Sequence, residues 1–410
     1  MKYFCFFILF FCICRVALCQ DKLDSVYNSS ILPGEFSISE TETVRFSKGN
    51  LHFNTISKIW KFAEKQYHDL GELKIELTSS PVVDLDGWIS AFQWGTNGIL
   101  DLYPNTSEKR FIPAVSDGCP LYDWGSCPII NGGGFNNMWR TLTAEEWRYL
   151  LVKRHDAKIK FSTATVCGIK GLVILPDTWN LPTGCEFNYE RINDVKESGD
   201  TWEFESSNYT NNVYNEELWR RMERNGAVFL PASEDWSGFK SGSYWSSTST
   251  RPLGDEIYSD SAYHISFDSK SLESYPFPPY KINWMSVRLV QSNKNCIYRS
   301  SVANPSIINI IEYNDTIKVE FEMCIVFDYI TIDPHTYLQT NTGERAKLKS
   351  TSGIMIEPNK TYFRNEDGLA LYHFTLNFEK LSMPLNKYNS FSIYENPNSS
   401  WKWEDIKLIE

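Results

Sequence analysis

Five hydroxyl side chains in a row are the first feature of the sequence that could carry chemistry. They run from Ser246 to Thr250 in the stretch GSYWSSTSTRP, directly after Tyr244 and Trp245. A serine becomes a nucleophile when a strained turn and a neighbouring base activate its hydroxyl, and GxSxG marks one such turn. The chain contains no GxSxG. Because small hydroxyls suit both strands and turns, we expect Trp245 to fill the core and the hydroxyls to lead into a loop.

Residues that could hold a metal or a phosphate lack the spacing that such sites need. The six histidines show no HExxH, and Cys119 and Cys127 lack the CxxC spacing of zinc and redox motifs. NGGGFNN, residues 131–137, contains a GxG that no helix follows, so we expect a turn there. Two acidic pairs lie outside any EF-hand loop and are expected to be solvated: Asp84 with Asp86, and Asp255 with Glu256. We predict no metal and no cofactor.

Two arginines stand among apolar residues, Arg140 in WRTL and Arg288 in SVRLV. An arginine in such a place usually extends its head to solvent or forms a paired, partly buried contact. We expect structural contacts at both positions. Binding of a ligand carboxylate is the alternative.

The beginning of the chain has the features of an export signal. Lys2 precedes the apolar run of residues 3–14, which is shorter than the about 20 residues that span a bilayer. Residues 1–19 are therefore predicted to be a signal peptide, followed by a tether over 20–30. Cleavage would leave Gln20 as the first residue. Alternatively, VALC ends in a Cys19 that is lipidated, as in bacterial lipoproteins, although Leu18 departs from that pattern.

Charge and export together restrict the partners. Removing residues 1–19 takes away two basic residues and no acid, which changes the net charge from −11 to −13. An acidic chain without a basic run is a poor ligand for nucleic acids and anionic membranes. We predict a protein that is secreted or held at the cell surface or outer membrane, with membrane contact only through a lipid anchor.

The cysteines of the mature chain are even in number. Four of the ten lie in the predicted signal, and six remain. An even count in an exported chain favours disulfides, and fifteen pairings are possible for six cysteines. Pairing of sequence neighbours predicts bonds between Cys119 and Cys127 and between Cys167 and Cys185. Six buried thiols are the open alternative.

Two helices and many short strands are predicted between residues 31 and 291. TAEEWRYLLVKR begins with a capping box, in which Thr143 caps the first amides and Glu146 reaches back to it. NEELWRRMERNG stops at Gly226. AVFLP, AYHISFD and SVRLV are expected to be strands. Few helices and long polar loops predict a compact α+β fold.

The residues between the predicted strands suggest a contact surface. The loops after residue 232 combine Tyr, Trp and Phe with Ser and acids, a composition that supplies contact area at low entropic cost. Aromatic rings packed beneath their own loops are the alternative for any single residue. The predicted ligand-binding residues are Trp236, Phe239, Arg251, Tyr258, His264, Tyr275, Tyr280 and Trp284.

The last hundred residues have a different pattern. DTIKVEFEM, TYLQT, YHFTLNF and FSIY are predicted to be strands, and no helical stretch is convincing. We predict an all-β sandwich of immunoglobulin-like size over residues 307–410, joined by a polar linker over 292–306.

Eight motifs carry a family resemblance. They occur in the order LPGEFSISETETVRFSKGNLHF, DGWISAFQWGTNG, YDWG, WRTLTAEEWRYL, GLVILPDTWN, NGAVFLPAS, GSYWSST and SVRLV. With them, residues 31–291 resemble exported C-type-lectin-fold proteins of gut-dwelling Gram-negative bacteria. That fold is related to formylglycine-generating, sulfatase-modifying enzymes and to target proteins of diversity-generating retroelements. In the retroelement targets a variable ligand face lies between the motifs that match GAVFLPA and SVRLV, which corresponds to residues 232–285 here.

The resemblance implies a non-catalytic, adhesin-like protein that binds a glycan or a protein ligand. The oxidases of the same fold use a late pair of cysteines to hold copper, whereas this chain has no cysteine between Cys185 and Cys296. The chain carries EPN, a sugar-binding signature of animal lectins, at residues 357–359, outside the lectin-like part. Since fold alone does not establish an activity, an oxidase and a structural subunit of a surface appendage remain alternatives.

Overall fold

The computed structural model describes most of the chain beyond the predicted leader. The described residues are 30–68, 83–95, 123–189, 196–198, 201–205, 208–234, 240–250, 261–274, 283–292, 294–300, 305–324, 329–363, 371–396, 399 and 401–409. The predicted signal peptide, Cys19 and the tether up to residue 29 lie outside them. We refer to the described residues up to 292 as the N-terminal part and to those from 294 as the C-terminal part.

The N-terminal part consists mainly of short strands. In chain order they are β1 Phe36–Ser37, β2 Thr43–Val44, β3 Leu51–Asn54, β4 Trp60–Phe62, β5 Trp88–Ile89, β6 Ala91–Phe92, β7 Trp139–Thr141, β8 Phe161–Val166, β9 Ile169–Ile174, β10 Lys196–Ser198, β11 Thr201–Glu205, β12 Val213–Tyr214, β13 Val228–Pro231, β14 Ser233–Glu234, β15 Lys240–Ser249, β16 Ala262–Phe267, β17 Ser271–Ser274, β18 Met285–Ser286 and β19 Leu289–Gln291. Helix α1 is Ala144–Arg148 and helix α2 is Glu216–Arg224.

Both helices begin where the sequence predicts. Thr143 accepts a hydrogen bond from the Glu146 amide, and the Glu146 carboxylate accepts one from the Thr143 amide, which completes the capping box of α1. After Arg148 the helix widens into a π-helical turn, Tyr149–Lys153. Asn215 caps α2, and Gly226 follows its end with a φ of 95°, in the left-handed region that glycine favours.

The strands form one large sheet and several small ones. The large sheet has the order β10-β11-β17-β16-β15-β18-β6, and β14 pairs with β15 outside that path. A four-stranded sheet has the order β12-β8-β9-β13, and a three-stranded sheet the order β4-β3-β5. The pairs β1-β2 and β19-β7 complete the N-terminal part.

SVRLV does not form the single strand that the sequence predicts. Ser286 ends β18, which pairs with β15 and β6, whereas Leu289 begins β19, which pairs with β7. The chain changes sheets at Val287 and Arg288, both of which are completely buried. The interruption therefore brings Arg288 into the interior between two sheets.

The C-terminal part is built from strands with one short 3-10 turn at Leu385–Lys387. Its strands are β20 Cys296–Arg299, β21 Ser306–Glu312, β22 Thr316–Cys324, β23 Tyr329–Ile330, β24 Tyr337–Thr340, β25 Arg345–Ser352, β26 Thr361–Tyr362, β27 Leu371–Glu379, β28 Phe391–Tyr394 and β29 Lys402–Leu408. Eight of them follow the order β20-β29-β28-β24-β25-β27-β22-β21, and β23 pairs with β26.

This eight-stranded path folds over its own core. Phe321 of β22 stacks on Phe374 of the neighbouring β27, with ring centroids 4.9 Å apart. The same Phe321 lies 4.7 Å from Trp403 of β29, although β29 stands near the other end of the path. Strands near the two ends of this order therefore pack against the same apolar cluster. The predicted β-rich architecture with few helices is confirmed.

The interval predicted as a linker, 292–306, is partly a strand. Residues Cys296–Arg299 form β20, which pairs antiparallel with β29 near the end of the chain. Cys296, Ile297 and Tyr298 are buried. This segment belongs to the C-terminal sheet, because its apolar residues supply part of the C-terminal core.

NGGGFNN forms a turn, as predicted, and this turn contacts the C-terminal part. Asn136 exchanges backbone hydrogen bonds with Tyr298, at 2.7 and 3.4 Å. The Arg299 guanidinium lies 4.6 Å from the centre of the buried Phe135 ring. Asn137 donates its side-chain amide to the Ile307 carbonyl. We call the contacts between this turn and the C-terminal part, which include one between Asn137 and Lys294, the joint.

No helix among the described residues is long and apolar enough to cross a membrane.

Candidate functional site

Strands β14 to β18 hold the ends of the three loops that carry most of the predicted ligand-binding residues. The loops are residues 235–239, 251–260 and 275–282, all of which lie outside the described residues. The strands that flank them are described. The geometry of the candidate site is therefore the geometry of this frame.

The central strand of the frame, β15, is buried on both sides. Tyr244 faces an apolar cluster that includes Phe267 and Val290, and its ring stacks on Phe267 at 6.2 Å. The next side chain, Trp245, points to the opposite face, into a cluster of tryptophan residues. Its indole N–H donates to the Phe92 carbonyl at 2.8 Å. Burial on both faces fixes the position of the strand.

The hydroxyl run is a structural element of this strand. Ser246 Oγ donates to the Tyr263 carbonyl at 2.8 Å. Thr248 Oγ1 accepts from the Ala144 amide at the first turn of α1, at 2.9 Å. A bulge between Trp245 and Ser249 shifts the register against β16. Ser246 and Thr248 bind backbone groups, and they therefore connect β15 to β16 and to α1. The hydroxyl run is thus the end of a strand, followed by the predicted loop.

The ends of two loops are fixed by hydrogen bonds. Thr250 donates both its amide and its hydroxyl to the Ser261 carbonyl, at 3.1 and 3.0 Å, so the two described residues that flank 251–260 are bonded to each other. Glu234 pairs with Lys240 across the β14–β15 ladder, which closes the base of the loop 235–239. The third loop connects the end of β17 to β18, two strands that lie on opposite sides of the β15–β16 pair.

Six predicted ligand-binding residues lie outside the described part of the chain: Trp236, Phe239, Arg251, Tyr258, Tyr275 and Tyr280. The other two, His264 and Trp284, are described and are buried, with 6% and 7% of their surface exposed. Neither ring is available to a ligand in this structure. The prediction of contact residues at these two positions is corrected: both belong to the support of the loops.

The environment of His264 explains its burial. Its ring packs edge-on against Trp245, with centroids 6.1 Å apart. Desolvation lowers the pKa of His264 to about 4, which keeps the imidazole neutral at physiological pH. The alternation of AYHISFD placed this ring on a polar face, but both faces of β16 meet packed side chains.

Arg288 has the structural role that the sequence favoured. The guanidinium is completely buried and donates to Gln66 Oε1 at 2.8 Å, Asn50 Oδ1 at 3.3 Å and the Lys48 carbonyl at 3.3 Å. Burial lowers the pKa of Arg288 to about 10, which still leaves it charged at neutral pH. Tyr244 joins the same network, because its hydroxyl accepts from Asn50 at 3.0 Å. Oxygen atoms of the protein therefore accept the hydrogen bonds of this guanidinium, in the place that a ligand carboxylate would take.

Arg140 is likewise paired within the protein. It makes two hydrogen bonds of 2.7 Å to the carboxylate of Glu146, in the two-pronged geometry that suits a guanidinium. The pair connects β7 to the first turn of α1. The predicted structural contact is confirmed at both arginines.

The predicted disulfide between Cys167 and Cys185 is wrong, because both are free thiols. The predicted pair Cys119–Cys127 includes Cys119, which lies outside the described residues. Cys127 packs in the tryptophan cluster, where burial raises its pKa to about 12, and Cys185 Sγ lies 3.7 Å from the Leu218 carbonyl. Small apolar thiols fill these positions, and a buried thiol is a poor partner for exchange.

The described part of the chain contains no group of three His, Cys, Asp or Glu side chains placed to hold a metal ion. It does bring together two histidines, His52 and His68, that are not neighbours in the sequence. The rings of His52 and His68 lie 5.7 Å apart, and His52 is completely buried. Burial and the neighbouring charges of His68 and Lys61 lower the pKa of His52 to about 3.

The sequence did not single out two exposed tyrosines in the C-terminal part. Tyr329 and Tyr362 are direct partners in the β23–β26 ladder, with ring centroids 5.8 Å apart and exposures of 41% and 71%. The Lys360 ammonium lies 3.6 Å from the centre of the Tyr329 ring. Their strands are only two residues long, so no alternating pattern marked these rings as exposed.

Several polar groups of the described frame form hydrogen bonds to protein atoms, among them Tyr244, Trp245 and Ser246. No protein-family model, curated protein or solved structure matches this chain.

Proposed function

We propose that this chain is an exported, non-catalytic binding protein that recognises a glycan or a protein ligand through the loops on the frame β14–β18. The N-terminal part would be a C-type-lectin-like domain, and the C-terminal part an immunoglobulin-like sandwich that presents it. Attachment to the cell surface would come from a lipid on Cys19, or the chain would be secreted after cleavage before Gln20.

The observation that carries this proposal is the burial of β15 between two cores. Tyr244 and Trp245 are both completely buried, on opposite faces of one strand. Thr250 and Ser261, just beyond the end of that strand, hold the loop 251–260 closed at its base. A rigid support lowers the conformational entropy that its loops lose on binding, which favours affinity.

The chemistry of the loop residues supports binding. Tyr, Trp and Phe give stacking area for sugar faces or apolar pockets, and Arg251 gives a charged donor. His264 and Trp284 would contribute by supporting the loops from beneath. The candidate contact residues are therefore Trp236, Phe239, Arg251, Tyr258, Tyr275 and Tyr280.

The positions of the cysteines favour binding over an oxidase of the related fold. Cys185 packs beside α2, and Cys296 packs in the C-terminal core. These two thiols, the nearest ones before and after the loops in sequence, belong to different clusters. An appendage subunit is the remaining alternative, and self-assembly of the purified mature chain would favour it.

Substitution of loop residues tests the proposal. The mature chain from Gln20 is screened on arrays of glycans and of host and bacterial proteins, and every captured ligand is measured again with the variant Arg251→Ala/Tyr258→Ala/Tyr280→Ala. Because a few aromatic and arginine side chains dominate most interfaces, we expect affinity to fall by at least about tenfold.

The matched control removes exposed tyrosines away from the frame. Tyr329→Ala/Tyr362→Ala should leave the affinity unchanged, because β23 and β26 belong to the C-terminal part. Equal binding by the loop variant and the parent, or capture of nothing by the parent, would contradict the proposal.

A further inference from the structure

The joint contains a lysine that contacts both an asparagine and a glutamate. Lys294 Nζ lies 3.4 Å from Asn137 Oδ1 and also contacts the carboxylate of Glu322. Asn137 belongs to the NGGGFNN turn, whereas Glu322 belongs to β22 of the C-terminal part. Only 4% of Asn137 and 8% of Glu322 are exposed. This cluster is separate from the loops and their frame.

The Asn137 carboxamide is held by three neighbours. Its oxygen accepts from Ser306 Oγ at 3.0 Å and from Lys294 Nζ, while its nitrogen donates to the Ile307 carbonyl. The backbone of Asn137 has a φ of 66°, in the left-handed region that asparagine tolerates. The Ser306 hydroxyl draws electron density from the carbonyl carbon and stabilises negative charge that develops on the oxygen.

The amine and the carboxylate form the second half of the arrangement. A lysine attacks a carbonyl only as the neutral amine, so its ammonium must first transfer a proton. The Glu322 carboxylate is in direct contact with Nζ and is positioned to accept that proton.

We propose that Asn137 and Lys294 form an intramolecular isopeptide bond. Glu322 takes one proton from the Nζ ammonium, and the neutral amine attacks Asn137 Cγ. Glu322 passes that proton to Nδ2, the bond from Cγ to Nδ2 breaks, and Nδ2 leaves as ammonia. The proton that Nζ loses on forming the amide is taken up by the departing ammonia, which becomes ammonium. One amine and one primary amide become one secondary amide and one ammonia, so the step requires no oxidant, reductant or cofactor.

The distances allow this reaction with a small movement. Nζ lies at most about 4.6 Å from Cγ, because it is 3.4 Å from Oδ1 and a C=O bond is about 1.23 Å long. Attack begins at roughly 3–3.5 Å, and the flexible lysine stem can supply the difference.

The bond would fix the two parts of the chain to each other. Asn137 and Lys294 are 157 positions apart, so the link would close a long loop that contains the frame and all three of its loops. A cross-link over a long loop restricts the unfolded chain strongly. An exported protein would gain resistance to unfolding and to proteolysis between its two parts.

Peptide mapping of the mature chain tests the proposal. Trypsin does not cleave after an acylated lysine, so we expect residues 289–299 to remain uncut at Lys294 and to be joined to residues 111–140, with the mass of one ammonia missing. Fragment spectra must locate the link between Asn137 and Lys294, because cyclisation of an N-terminal Gln20 also releases ammonia.

Three variants identify the roles. Lys294→Arg removes the nucleophile and Glu322→Gln removes the proton acceptor, and both should yield separate peptides. Glu320→Gln changes a neighbouring carboxylate in the same strand and should keep the joined peptide. Separate peptides from the unaltered chain would overturn the proposal, whatever the variants do. A joined peptide from Glu322→Gln in parental yield would overturn the role of Glu322.

Discussion

At the scale of single residues, polar side chains in this chain are mostly parts of the interior. Arg140, Arg288 and the hydroxyl run were recognised from the sequence as structural, because their apolar neighbours indicated strands with packed surroundings. His264 was assigned to a ligand, because alternation identifies two faces of a strand but not what packs on each. The burial of β16 on both faces depends on residues far away in the sequence, among them Trp245.

His52 gives the stability of the protein a defined dependence on pH. Its pKa is about 3 in the fold and about 6.5 in the unfolded chain, so between these values the unfolded chain binds the extra proton. Stability is therefore fully present above pH 6.5 and is lost as the pH falls toward 3. At pH 4.5 we expect this histidine to account for a loss of about 3 kcal/mol.

Urea unfolding of His52→Gln and of His155→Gln between pH 7.5 and 4.5 measures this contribution. His68 and Lys61, the charged neighbours of His52, are kept in both variants. The pH dependence should become shallower only in His52→Gln, because the His155 side chain is 90% exposed. Equal slopes for the parent and for both variants would show that His52 does not titrate as described.

At the scale of elements, local signals predicted helices well and strand partners poorly. The capping box fixed the start of α1, and Gly226 marked the end of α2, since these signals act within a few residues. SVRLV was expected to be one strand, but it divides between two sheets at Val287 and Arg288. Its pattern of apolar residues contains no information on which strands lie beside it, and the network of Arg288 involves residues more than 200 positions away.

The cap of α1 should contribute measurably to stability. Thr143→Ala removes the side-chain acceptor for the Glu146 amide, while Arg140 still holds the Glu146 carboxylate. We expect the free energy of unfolding in urea to fall by about 1 kcal/mol. Thr143→Ser keeps the acceptor and should stay within a few tenths of the parent. The same loss in both variants would mean that the hydroxyl does not stabilise the helix.

At the scale of the whole molecule, the sequence predicted a β-rich chain with few helices but not how residues 292–306 pair with the rest. The polar residues 292–306 suggested a linker, yet β20 is paired with β29, and the turn NGGGFNN contacts it. Asparagines 136 and 137 were visible in the sequence as turn residues, whereas their partners Tyr298 and Ile307 are far away along the chain. The predicted bond between Cys167 and Cys185 is absent although both pack against one apolar cluster, because closeness in sequence and in the core does not by itself place two sulfurs at bonding distance.

Accessibility of the loop side chains tests the central claim most directly. Hydroxyl-radical footprinting of the folded mature chain compares Tyr258, Tyr275 and Tyr280 with Tyr244 and Tyr298, whose rings are buried. We expect the three loop tyrosines to be modified nearly as fast as in the denatured chain, and the two buried tyrosines to be protected. Protection of the loop tyrosines equal to that of Tyr244, in the absence of any ligand, would show that they are packed inside and would contradict the account.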